Sequence, residues 1–302
     1  MSLLELVLEV AVVVGAMHAL SAVAVLGVDD LRAAPRRLRP TVRAVAAPLG
    51  ALLAVLALNG VVRDIGVELS WVIGVNITGA IYALEGTFVA VLQSYATPAA
   101  TAYFSFVYVF GYVYLLTFPG VAYALRGDVR ALRTLIVAYG LNYVIGLACY
   151  VLFVAYGPRN LMPDLVESLL FTSWPRSQLL TSQVNVNTNV FPSLHTSLSV
   201  TVALLAYRTR ERYPRWTAVA LALAASIVVS TMYLGIHWAT DVVVGCALAV
   251  ASVRAAERYE ARREREGRGD PEGRDAPDDP NDRGRPGGPG EEECRRDGRV
   301  RG

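Results

Sequence analysis

Stretches of apolar residues close to the length of a bilayer crossing constrain this chain more than any other feature. Clear runs lie at roughly 3–27, 41–62, 98–125, 131–155, 191–207, 214–233 and 238–256. A helix needs about 20 such residues to cross the hydrocarbon core. At 54% hydrophobic residues the chain is also more apolar than a soluble domain of its length. Runs this long fit helices. The expected fold is therefore all-α, a polytopic membrane helix bundle of about seven spans. The first run lacks a basic leader and a small-residue cleavage site, so it reads as a retained span.

A further stretch, 71–94, is ambiguous, because Asn76, Thr78, Glu85 and Gln93 interrupt it. Arginine placement resolves it, since short cytoplasmic loops carry an excess of basic residues. Basic clusters follow the first run (Arg32, Arg36, Arg37, Arg39, Arg43), the third (Arg126, Arg130, Arg133), the fifth (Arg208, Arg210, Arg212, Arg215) and the last (Arg254, Arg258, Arg262, Arg263). All four share one side only if 71–94 does not cross. That stretch is expected to be a re-entrant or interfacial helix on the outer side, where Glu85 avoids hydrocarbon. The N-terminus, the loop 156–190 and the turn near 234–237 then lie outside and the C-terminus inside.

The chain divides into N-terminal membrane helices over 1–62, a re-entrant or interfacial segment over 63–97, a membrane core carrying the chemistry over 98–265 and a tail over 266–302. The tail is rich in Gly, Pro, Asp, Glu and Arg. It cannot bury enough apolar surface to offset the entropy of ordering, so it is expected to be disordered and cytoplasmic. A net charge of +2 points to no nucleic-acid partner. Cys149, Cys246 and Cys294 have neither metal-type spacing nor the pattern of a disulfide set.

Three histidines carry the chemical interest. Asp241 follows His237 by four residues, a spacing that puts both side chains on one helical face. The carboxylate can accept the Nδ1 proton, fix the tautomer and leave Nε2 as a nucleophile. A structural polar pair between helices would use the same residues. In Phe191-Pro-Ser-Leu-His195, Pro192 and Ser193 suit a helix start. Such a start offers unpaired N–H groups and a positive dipole end to phosphate oxygens. His195 in its first turn can protonate a leaving group. Arginine placement, independent of the histidines, puts His195 and His237 at the same membrane face. His18 sits mid-span with no carboxylate nearby, so a packing or helix-bridging role is expected. Transition-state charge on phosphoryl oxygens calls for fixed cations, and Arg159 and Arg176 stand in the outer loop.

Pro192-Ser-Leu-His195 followed by Ser230-Thr-x5-His237-x3-Asp241 resembles the type 2 phosphatidic acid phosphatase superfamily. That family carries K-x6-R-P, P-S-G-H and S-R-x5-H-x3-D on a core of about six helices. The resemblance implies that His237 forms a phosphohistidine, that His195 is the general acid and that Asp241 orients the nucleophile, without a metal or other cofactor. Leu194 stands in place of a glycine and Thr231 in place of an arginine. The chain has no lysine at all, which leaves Arg159 as the nearest match to the first motif. Ser193, Arg176 and Thr231 complete the expected phosphate-binding set. Phe191-Pro-Ser-Leu-His195 and Thr231-Met-Tyr-Leu234 are closest to the inositol phosphorylceramide synthase-like subgroup. The implied substrate is a lipid phosphate or phosphodiester, acted on at the extracytoplasmic face of the plasma membrane. The acceptor is water or an alcohol such as a polyol headgroup. A metal triad of the two histidines and Asp241, and a non-catalytic transport or structural role, remain as alternatives.

Overall fold

The computed structural model describes residues 3–178 and 190–267. The first span is α1 (Leu3–Ser21), prolonged by a π-helical turn over Ala22–Leu26 and stopped at Gly27, whose φ of +80° suits a residue without Cβ. The basic segment that follows is not a loop. It forms α2 (Val28–Ala44) despite Pro35 and Pro40, with Asp29 and Asp30 in its first turn, where carboxylates suit the helix dipole.

α3 (Ala46–Ile73) meets α2 at a bend of 69°. It runs unbroken through 62–63, where the apolar run ends. The charged pair Arg63-Asp64 ends the apolar run but does not interrupt the backbone ladder that defines the helix.

The ambiguous stretch is not a single crossing helix. After α3 the two-residue strand β1 (Val75–Asn76) leads into α4 (Thr78–Glu85) and α5 (Phe88–Gln93). At about 1.5 Å per residue these helices are only ~12 and ~9 Å long. The polar residues that made the stretch ambiguous are used in bonding. Asn76 Oδ1 accepts from the Thr78 amide at 3.0 Å, and Thr78 Oγ1 accepts from the Tyr156 amide at 3.1 Å.

A long bent element follows, made of α6 (Pro98–Phe106), a π-helical turn (Val107–Gly111) and α7 (Tyr112–Arg126). Thr97 caps α6 and Asp128 caps α8 (Val129–Leu152), each accepting an amide of the first turn. β2 (Phe153–Val154) pairs in parallel with β1, Val75 opposite Phe153. Among the described residues the short helices α9 (Pro158–Leu161) and α10 (Leu169–Ser173) come next, then α11 (Leu194–Arg208), α12 (Pro214–Tyr233) and α13 (Ala239–Gly267).

The fold is an all-α polytopic bundle. Among the described residues five helices are long and apolar enough to cross a membrane, or six if the bent α2–α3 pair counts as one. α11, with 15 residues, is about 22 Å long and falls below that length. Trp216, Phe118, Leu115 and Ile227 are fully buried at the centre. Ala122, Ala206, Ala220 and Ala224 beside them let the helices approach closely. Large apolar side chains such as Val12, Leu20, Leu58 and Val243 are exposed, as a lipid-facing surface requires. His18 bridges helices as expected, with Nε2 3.1 Å from Thr117 Oγ1 and its ring edge-on to Tyr114.

Arginines from α2, α7, α8 and the turn between α11 and α12 converge at one end. Asp30 pairs with Arg37 and Arg126 at 2.9 and 2.7 Å, Asp128 with Arg212 at 2.9 Å, and Glu260 with Arg133 at 3.0 Å. About 28 Å of α13 separates Glu260 from Asp241, so the N-terminal ends of α11 and α13 meet at the other end. Residues 264–302 form a separate unit. Only its first residues, to Gly267, are described, and the expected tail lies outside the described residues from 268 onward.

Candidate active site

The turn after α12 delivers His237. Gly235 adopts φ +72°, and the amides of Ile236 and His237 both donate to the Thr231 carbonyl at 3.0 Å. α13 begins only at Ala239, so His237 and Asp241 do not share a helical face as their spacing suggested. They meet because Asp241, third in the helix, folds back over its start. Its Oδ2 accepts from the Trp238 amide at 2.9 Å and lies 3.3 Å from His237 Nδ1. This is the acidic half of a capping box, put to use on an imidazole. Nε2 is left for a reaction partner.

The second histidine comes from the start of α11. Ser193 caps that helix, its Oγ accepting from the Thr196 amide at 3.3 Å. The Ser193 amide donates to the Asp241 carbonyl at 3.1 Å, so the two helix starts are bonded to one another. Gly245 makes this approach feasible, since a Cβ there would stand 2.7 Å from the Ser193 carbonyl oxygen. The centroids of the His195 and His237 rings lie 6.5 Å apart, a gap that one phosphoryl group can bridge. Tyr108 stacks on His195 at 4.5 Å and 17°, and Tyr112 packs on it at 4.3 Å. His195 is half-buried and His237 is 4% exposed.

Arg159, the expected cation, lies beside the turn that carries His237. Its amide donates to the Gly235 carbonyl at 3.1 Å, which ties it to the His237 turn. Its guanidinium lies 4.6 Å over the Phe171 ring, and Nη1 is buried without a hydrogen-bond partner. Burial draws its pKa below the ordinary guanidinium value. A desolvated guanidinium with an unused donor is suited to an anion's oxygens.

The other expected phosphate ligands fare differently. The Ser193 hydroxyl is fully buried and occupied as a cap. Thr231 is also fully buried, with its hydroxyl donating to the Val228 carbonyl at 2.8 Å. That hydroxyl is turned into its own helix and does not take the place of an arginine. Arg176 lies exposed in the turn after α10. Leu194 is accommodated because the residue facing it is Gly146, where a Cβ would come within 2.6 Å of Leu194 Cδ2.

Sequence reasoning missed Tyr108, Tyr112, Gly146 and Gly245. The tyrosines sit in an apolar run where nothing marks one aromatic from another. The glycines are read only once their neighbours are known. Among the described residues no group of three or more His, Cys, Asp or Glu is arranged to hold a metal ion. A family model described as the PAP2 superfamily matches residues 83–255. No curated protein matches the chain, and no solved structure does.

Proposed function

The chain belongs to the PAP2 superfamily, and from that premise we propose that it is a membrane lipid phosphatase or phosphotransferase acting through a phosphohistidine on His237. Membership supports an enzyme of the phosphatase or phosphotransferase type with a lipid phosphate substrate, and the apolar helices make it a multi-pass membrane protein. The observation that carries the finer reading is the 6.5 Å separation of two imidazoles, one of them held on a carboxylate.

In the first half-reaction Nε2 of His237 attacks phosphorus. A P–N bond forms, the P–O bond to the lipid alcohol breaks, and His195 gives its proton to the departing oxygen. Asp241 holds the Nδ1 proton and stabilises the imidazole as it gains charge. In the second, His195 takes a proton from water or an alcohol whose oxygen attacks phosphorus, and the P–N bond breaks. Arg159 and the N–H groups at the start of α11 stabilise the non-bridging oxygens. With neither a lysine nor the motif arginine present, Arg159 carries the fixed charge there.

The reading includes an extracytoplasmic site in the plasma membrane with the C-terminus inside, in line with the arginines converging at the far end. The motif Phe191-Pro-Ser-Leu-His195 tilts the acceptor toward a polyol, as in the inositol phosphorylceramide synthase-like subgroup. Purified protein given a panel of labelled lipid phosphates and phosphodiesters, with and without inositol, tests this. Expected are a labelled histidine in the wild type and none in His237→Ala. Label moving to inositol marks a transferase, and free phosphate marks a hydrolase. Turnover that survives His237→Ala would refute the mechanism.

A further inference from the structure

The turn that presents His237 is short and irregular, and its own hydrogen bonds fix only the side facing α12. Besides the Arg159 amide on the Gly235 carbonyl and the Trp238 indole on the Tyr156 carbonyl, it is held by the segment that was ambiguous in sequence. On the far flank of His237, the first two amides of α13 have no partner within their own helix. Both are taken by one carboxylate. Ala239 N donates to Glu85 Oε2 at 2.8 Å, and Thr240 N donates to Glu85 Oε1. Glu85 is the last residue of α4 and stands 154 positions from Ala239 in the chain. On the near flank, Gln93 at the end of α5 bonds three backbone groups. Its Nε2 donates to the carbonyls of Tyr233 and Glu167 at 3.0 Å, and its Oε1 accepts from the Glu167 amide at 2.8 Å. Tyr233 is held again through its hydroxyl, 2.9 Å from Thr101 Oγ1.

We propose that Glu85 is a positioning residue for the reaction, acting through the Ala239 and Thr240 amides to fix the start of α13 and with it the His237–Asp241 pair, while Gln93 fixes the opposite flank of the same turn. The inference rests on the function proposed above. Asp241 uses Oδ2 for both the Trp238 amide and His237 Nδ1, so its aim depends on where the first turn of α13 sits. Val242 N to Trp238 O is the first bond α13 makes to the turn before it. Without Glu85 the preceding amides must find water or fray. A carboxylate at a helix start also opposes the positive end of the helix dipole. Because Glu85 reaches α13 through backbone amides, it shapes the geometry of the nucleophile and leaves lipid binding alone.

The test compares the full-length wild type with Glu85→Gln, Glu85→Ala and Gln93→Ala, in detergent, on the lipid phosphate that the wild type turns over. Glu85→Gln keeps the size and one acceptor oxygen, so it separates folding from function. Expected is a fall in kcat of about tenfold for Glu85→Gln and Gln93→Ala and about a hundredfold for Glu85→Ala, with KM unchanged. The rate of phosphohistidine formation in a single turnover should fall by the same factor. Unchanged kcat per folded molecule in all three variants, or a change confined to KM, would overturn the proposal. A wild type that turns over no lipid phosphate would instead refute the proposed function.

Discussion

Replacing Gly245 by alanine separates stability from activity at this site. Two terms of opposite sign act on stability. Alanine is favoured over glycine inside a helix by about 1 kcal/mol. Against this, the new Cβ would stand 2.7 Å from the Ser193 carbonyl oxygen and 3.2 Å from Thr196 Cβ. The first of these is backbone, which cannot swing aside. Overpacking of this kind costs about 1–3 kcal/mol, so the net loss should be only ~0–2 kcal/mol. Relief requires the start of α11 to move from α13 by about 0.7 Å, the shortfall of 2.7 Å from an ordinary contact of 3.4 Å. That movement stretches the Ser193–Asp241 backbone bond and widens the gap between the two rings. A misplacement near 1 Å can cost about a hundredfold in rate, so kcat should fall by ~10- to 100-fold. The assay is product release in detergent beside thermal unfolding of the same sample. Gly140→Ala is the control, since Gly140 lies in α8 with nothing within 4 Å of a new Cβ. It should gain stability and keep its kcat. A Gly245→Ala enzyme with wild-type kcat would refute the idea that this close approach sets the ring separation.

Arg159→Ala should lower kcat by about a hundred- to a thousandfold, as loss of a group that stabilises transition-state charge does, and Arg159→Lys should recover part of it; steady-state kinetics decides. Ser193→Ala removes the α11 cap and should cost about 1 kcal/mol in denaturant or thermal unfolding, with a smaller effect on kcat than Arg159→Ala. Arg133→Met leaves Glu260, 2% exposed at its side chain, without its charged partner. It should destabilise the bundle by about 3–5 kcal/mol, while the double variant Arg133→Met/Glu260→Leu should recover most of that loss.

The legible parts of this protein are those set by local sequence. Apolar runs located most of the long helices, because crossing length is a property of consecutive residues. The four arginine clusters predicted a shared end, and three of them meet there through Asp30, Asp128 and Glu260. The two histidine motifs were readable because helix starts and short spacings are local. Even so, spacing alone misplaced His237 within a helix, when it precedes one. The role of Glu85 was beyond reach, because its partners lie 154 and 155 positions away and are backbone amides with no side-chain signature. Thr231 looked like a neutral stand-in for an arginine. Only its burial and its bond to Val228 show that the hydroxyl is already used. The helical α2 was not legible, because its arginines were read only for topology as a basic cluster between apolar runs.

The two poles of the bundle are fastened by different chemistry. Where the arginines gather, the ties are ion pairs, several of them partly open to solvent: Arg212 is 59% and Arg208 60% exposed. Where the histidines gather, the ties are helix caps and backbone hydrogen bonds. Dissolved salt screens the first kind and barely touches the second. Rising ionic strength therefore loosens one pole while the other keeps its shape, so the purified enzyme should melt at lower temperature in salt yet work at an undiminished pace until it does.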